Sequence, residues 1–186
     1  MANEHLNIKN IPAIIWGDTS SKVYLYIHGQ GGYKEEAEAF ASIANRYGWQ
    51  VLSIDLPEHG ERKEERDLFN PWTIVPELLT VMQYAKNRWV DIALFANSIG
   101  AWFSMLSFKN ENLEKCLFVS PVLDMKSLIQ KMMSWANVSQ ERLRHEQTIP
   151  TSFGQTLSWK YWEYAANNPV PTKILQEKTI LQIVIP

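Results

Sequence analysis

The chain has 186 residues, 46% of them hydrophobic and 20% charged, with a formal net charge of −2 at pH 7. That length and balance fit one globular domain with a sizeable core. The near-neutral charge, with no long basic run, gives no pointer to nucleic acid or to an anionic membrane surface as a partner. The single cysteine, Cys116, excludes a disulfide framework and fits a reducing compartment. No apolar run approaches a membrane span, and Met1 to Asn7 hold no signal-peptide core, so a cytoplasmic location is expected.

His5 reads as part of an N-terminal tail, and Ile11 to Trp16 as a short first strand. Lys22 to Ile27 is an apolar strand that runs into His28-Gly29-Gln30-Gly31-Gly32. From Lys34 to Tyr47 the apolar positions Ala37, Phe40, Ala41, Ile43 and Ala44 recur at helical spacing, and Gly48 ends the helix. Val51 to Leu56 is the next strand, followed by Pro57-Glu58-His59-Gly60 and a loop dense in charge. Pro71 opens a helix that reaches about Arg88, with Pro76 near its start, where proline is tolerated. Ile92 to Ala96 is a buried strand, and a helix starts close after Ser98. Leu113 to Val119 is another strand, with Cys116 inside it. Strands alternating with helices predict a parallel sheet covered on both faces.

Residues 125–168 break that rhythm with helical patterns at Ser127–Ala136, Ser139–Gln147 and Leu157–Asn167, the last two separated by Pro150 and Gly154. The expected organisation is a core over 1–124, a helical insertion over 125–168, and a last core strand with a tail over 169–186.

Ser98 lies between the strand and the helix in Ala96-Asn97-Ser98-Ile99-Gly100. A serine on such a sharp turn is lifted above the sheet edge, while the first N–H groups of the helix converge beside it. Small residues two before and two after the serine suit the close approach of strand and helix. The bland alternative is a serine that merely caps a helix. The context favours chemistry. Strand-His28-Gly29-x-Gly-Gly, then strand-Asp55-x-Pro57-x-His59-Gly60, then strand-Ala96-x-Ser98-x-Gly100-helix resembles the α/β-hydrolase family in order and spacing, over roughly residues 12 to 176. The family more often has glycine where Ala96 stands.

The resemblance implies a three-layer α/β fold with a helical cap after the strand that follows the elbow helix. It implies Ser98 as nucleophile and the backbone N–H groups of Gln30 and Ile99 as an oxyanion hole. An acyl substrate of small or aryl type would sit in a pocket involving His28, Gly29, Met132, Trp135, Trp159 and Trp162, although cap aromatics can equally be packing residues. No cofactor and no metal are implied.

The base and the acid are harder to place. The family order is serine, acid, histidine. The one histidine after Ser98 is His145, in the charged run Arg142-Leu-Arg-His-Glu-Gln, which reads as a solvated helix face. In the family, the counterparts of His28 and His59 shape loops, and His5 lies in the tail. The acid would follow the strand Thr172 to Leu175, where the chain reads Gln176-Glu-Lys-Thr-Ile-Leu-Gln-Ile-Val-Ile-Pro186. Asp124 is the other candidate acid, or else a helix cap. Two further classes stand beside the hydrolase: a non-catalytic protein of the same fold that binds a small apolar ligand or a partner, and a doubly wound nucleotide-binding domain. The last lacks the glycine spacing and the phosphate-loop lysine.

One choice of synonymous codons for Gln176 to Pro186, read from the third base, spells Gly-Glu-Asn-Asp-Ile-Thr-Asp-Ser-Asn-Thr, an acid loop of the expected kind. The expectation is therefore a frameshifted, truncated hydrolase whose last strand, histidine and final helix are missing. Sequencing of the encoding DNA tests this, because an early stop in the shifted frame refutes it. An open sheet edge and the β-branched run Ile180 to Ile185 favour self-association through the chain's own sheet or a partner's. A dimer or larger species is expected in light scattering; a clean monomer at high concentration contradicts it.

Overall fold

A computed structural model describes residues 2–170 and, by backbone alone, residues 179–182 of the chain. Seven strands form one sheet: β1 (Asn3–Ile8), β2 (Ile11–Trp16), β3 (Lys22–Ile27), β4 (Gln50–Ile54), β5 (Asp91–Asn97), β6 (Cys116–Val119) and a last strand at Thr179–Gln182. Their order is β1-β2-β4-β3-β5-β6 and then the last strand. The two pairs made by β2 are antiparallel and the other four pairs are parallel.

The connections fix the layers. From β3, helix α1 (Ala37–Ala44) leads one way along the sheet to β4. From β4, helix α2 (Pro71–Lys86) leads back past β3 to β5, and helix α3 (Ile99–Ser107) continues in the same direction to β6. Right-handed crossovers in opposite directions lie on opposite faces, so α1 covers one face and α2 and α3 the other. On the α1 face, Ala37, Ala41 and Ala44 pack into a cluster with Ile14, Trp16, Tyr26 and Val51. The alternation of β3 turns Val23, Leu25 and Ile27, all wholly buried, to the other face. The chain reverses direction between β3 and β5, and the crevice at their carboxyl ends is where sheets of this kind place their sites.

Residues divide into two compact units, one reaching Pro121 and including the last strand, the other spanning Val122–Val170. The second unit holds α4 (Met125–Trp135), α5 (Gln140–Glu146), a small hairpin of β7 (Thr148–Pro150) and β8 (Thr156–Ser158), and α6 (Trp159–Asn167). Its helices begin on side-chain caps: Asp124 accepts from the Ser127 N–H, Ser139 from Arg142 and Ser158 from Tyr161.

Three expectations need correction. The segment read as a tail is β1, joined to β2 by the two-residue turn Lys9-Asn10, with Lys9 at φ 55. The break at Pro150 and Gly154 is spanned by the hairpin of β7 and β8, and Leu157, expected to open the third helix, lies in β8, so that helix starts at Trp159. The strand expected over Leu113–Val119 begins only at Cys116. The strand expected at Thr172–Leu175 lies outside the described residues. The last strand at Thr179–Gln182 pairs with β6 of its own sheet.

A buried ionic cluster supports the carboxyl end of β4. Asp55, wholly buried, accepts from the Lys34 N–H at 2.8 Å, from Lys34 Nζ at 2.8 Å and from the Glu61 N–H at 3.0 Å. Burial alone would lower the Lys34 ammonium. Hydrogen bonds to Asp55, Glu61 and Glu35 outweigh it and hold the group above its ordinary value. Arg62 then ties the loop to α2, donating to Glu77 at 2.8 and 2.7 Å and to the Asp55 carbonyl at 3.3 Å. Removing one member of a buried pair strands the other charge. Asp55→Ala is therefore expected to cost about 3–5 kcal/mol, read as a lower urea midpoint, with Asp55→Asn milder.

Candidate active site

Ser98 directly follows β5 and stands at the N-cap of α3 with φ 50 and ψ −121, a conformation that a residue with a side chain rarely adopts. The turn is imposed by packing. A Cβ on Gly100 would lie 2.2 Å from the His28 carbonyl oxygen and 2.9 Å from that of Ile27, so only glycine lets α3 start this close to the end of β3. Ala96, on the other side of Ser98, is wholly buried. The Ser98 N–H donates to the Val119 carbonyl at 2.9 Å, which ties the turn to β6. The Ser98 side chain makes no cap hydrogen bond and has no partner among the described residues. It is half-buried. The simple capping role is thus not the one this serine plays.

The glycine loop lies against the elbow. A Cβ on Gly29 would stand 3.1 Å from Ser98 Cβ. The Gly32 N–H returns to the Gly29 carbonyl at 3.1 Å, and Gly31 takes φ 77. Residues 29–32 therefore form a type II turn, which requires the left-handed conformation at its third residue. The Gln30 and Ile99 N–H groups donate no hydrogen bond among the described residues.

The histidines have different settings. His28 is wholly buried: its Nδ1–H donates to the Gly29 carbonyl at 2.8 Å, and Nε2 accepts from the Leu56 N–H at 3.0 Å. His59 is buried too, with Nδ1–H donating to the Pro57 carbonyl at 2.8 Å and Nε2 accepting from the Gly31 N–H at 2.8 Å. In each ring a single neutral tautomer satisfies both bonds, so neither has a nitrogen left to take a proton from Ser98. His5 is exposed on β1, four strands from β5, roughly 19 Å across the sheet at the usual strand spacing. His145 is exposed on α5. No general base for Ser98 stands out among the described residues.

The other predicted residues are spread over the second unit. Both carboxylate oxygens of Asp124 are taken by Ser127, one by its N–H at 2.9 Å and one by its hydroxyl at 2.6 Å. These bonds hold the Asp124 carboxyl below its ordinary value. It is a helix cap, and the candidate acid role has no geometric support. Trp135 is 68% exposed and meets Phe153 edge-on. Trp159 and Trp162 stack at 4.9 Å, with Arg144 over one and Lys126 over the other. Met132 is half-buried on α4. His28, expected at the pocket, is instead sealed beneath the loop, while Gly29 faces Ser98. A cavity of about 300 Å³ lies against β1 and α2, between Lys9, Gln83 and Tyr84, and involves none of these residues. No cluster of three or more His, Cys, Asp or Glu side chains placed to hold a metal occurs among the described residues. No helix among them is long and apolar enough to cross a membrane. The loop-bracing roles of Lys34, Asp55, Arg62 and Glu77 were not read from the sequence. The sequence signal was the aspartate in Asp55-x-Pro57-x-His59-Gly60.

Burial lowers His28 from 6.5 to about 4, outweighing the hydrogen bond to Gly29, which favours the charged form. The folded value lies below the unfolded one, so the unfolded chain takes up the proton first. The associated stability is present above pH 6.5 and is lost as pH falls towards 4, on the order of 3 kcal/mol. Urea unfolding at several pH values is expected to show a shallower acid loss for His28→Asn than for the native chain.

No family model and no curated protein matches the chain. Solved structures do. A protein from Agrobacterium vitis assigned as a hydrolase is 12% identical, with 99% of this chain and 90% of that one covered and a TM-score of 0.71. Est1E from Butyrivibrio proteoclasticus, with ferulic acid bound, is 16% identical over 97% of this chain and 88% of its own, with a TM-score of 0.68. A thioesterase domain from the curacin biosynthetic pathway is 16% identical over 98% and 83%, with a TM-score of 0.58. Together with the sheet order and the strand-turn-helix at Ser98, these likenesses establish that the chain has the α/β-hydrolase fold.

Proposed function

We propose that the chain is a serine hydrolase of the α/β-hydrolase type, acting on a carboxylic ester, thioester or related acyl bond through Ser98. The observation that carries this reading is the backbone of Ser98 at φ 50 and ψ −121, with a hydroxyl that caps nothing. Such a conformation costs on the order of 1–3 kcal/mol, and strain of this kind gathers at functional sites. Ser98 Oγ attacks the acyl carbon, and the N–H groups of Ile99 and Gln30 take the developing oxyanion. Two features support those donors: neither N–H is engaged, and Gly29 packs against Ser98. The acyl substrates suggested by the neighbours support an acyl bond as the target, and the ferulic acid bound to Est1E supports an aryl acyl group.

Turnover is slow on this reading, because the serine lacks a base among the described residues. That same observation favours a second reading, a non-catalytic protein of this fold that binds a small apolar ligand or a partner. Intact-mass spectrometry after treatment with a fluorophosphonate separates the two. The hydrolase reading expects one adduct, mapped to Ser98 and absent from Ser98→Ala, and a burst of about one equivalent with an activated aryl ester. A native chain that takes no label supports the binding protein.

A further inference from the structure

The cavity of about 300 Å³ between the end of β1 and α2 has the size of a small-molecule site. Gln83, Tyr84 and Asn87 line it from the helix; Asn87 follows Gln83 by four residues and Tyr84 by three, so the three share one face. Asn7, Ile8 and Lys9 line it from the strand and its turn, and Ile8, buried, is the apolar member. The side-chain amides of Asn7, Gln83 and Asn87 and the Lys9 ammonium make no hydrogen bond or ion pair among the described residues. Tyr84 is held in place: its hydroxyl oxygen accepts from Arg88 at 3.1 Å, and Arg88 donates to Glu4 at 3.2 Å. The phenolic proton remains available to donate.

Lys9 alone is charged among the described residues that line the cavity. It also holds φ 55 at the first position of a two-residue hairpin turn, where glycine or asparagine is usual. A left-handed lysine works against folding, and the fold gives its ammonium no partner to offset that. Residues that keep such a conformation gather where a ligand or a reaction uses them. The backbone strain and the unpaired charge are separate observations, and both fall on the cavity wall.

We infer that this cavity binds a small polyhydroxylated carboxylate, of the size and class of a sugar acid. Lys9 takes the carboxylate in a charge-assisted hydrogen bond. The three amides each donate and accept, which neighbouring hydroxyls require, and the Tyr84 hydroxyl donates one bond more. A simple anion would use the lysine and leave the amides idle, and an apolar ligand would strand them all. The inference stands apart from the hydrolase reading, because none of these six residues belongs to the site around Ser98.

The experiment titrates the ¹⁵N-labelled full chain with glucuronate, glucose and acetate and follows the backbone and side-chain amide signals. A ligand of this size is expected to bind with a Kd of about 1 mM. Glucuronate is expected to shift the signals of Asn7, Gln83 and Asn87, with glucose and acetate each about tenfold weaker. Gln83→Ala is expected to weaken glucuronate binding about fivefold. Lys9→Gly is expected to weaken it about tenfold while its urea midpoint does not fall, since glycine suits the turn. No shift at these residues at about twenty times the expected Kd overturns the site. Acetate as tight as glucuronate overturns the role of the amides, and glucose as tight overturns the role of Lys9. A Lys9→Gly that binds like the native chain, or that unfolds at a lower midpoint because the lysine serves the turn, overturns the assignment of Lys9 to a ligand.

Discussion

Helix α3 begins within van der Waals reach of the end of β3, backbone against backbone. The missing side chain at Gly100 makes that contact possible, since any Cβ there would collide with the carbonyls of Ile27 and His28. With the helix seated so close, the chain has one residue in which to leave β5 and turn upward, and Ser98 absorbs the turn in a left-handed conformation. The same closeness brings Gly29 against Ser98. Serine, helix N-terminus and glycine loop therefore share one place through packing before any polar contact is considered.

Polar contacts then hold what packing brings together. The segment 55–62 carries little regular structure of its own, yet it is fixed by Asp55 on Lys34 and on the Glu61 N–H, and by Arg62 on Glu77. Buried charges of this kind are costly unless fully paired, and here each has several partners. Polar side chains that a first inspection would nominate for chemistry are consumed by support. His28 and His59 hold backbone, and Asp124 caps α4.

Much of this was legible in the sequence, and the reasons differ by residue. The apolar strands at Val23–Ile27, Val51–Ile54 and Ile92–Ala96 announce themselves because both faces are covered. The elbow is local, so Ala96-x-Ser98-x-Gly100 between strand and helix sufficed. The first strand was missed because it lies at the sheet edge and is mostly polar, although Leu6 and Ile8 alternate with polar residues before the two-residue turn at Lys9-Asn10. The bonds of His28 and His59 join residues 28 apart in the chain, and no local pattern reveals which backbone group a ring will meet. Trp135, offered as a pocket residue, stands 68% exposed, and the helical spacing of an aromatic does not say which side faces water.

The side chain of Gln30 takes no part in the proposed site. It is exposed, has no hydrogen-bond partner among the described residues, and sits on a turn whose shape is set by its neighbours. On the proposed reading the chemistry at that position belongs to a backbone atom that every residue except proline carries. Position 30 can then vary over evolution in size, charge or polarity, altering what approaches the serine while the electrostatics that stabilise the oxyanion are inherited unchanged.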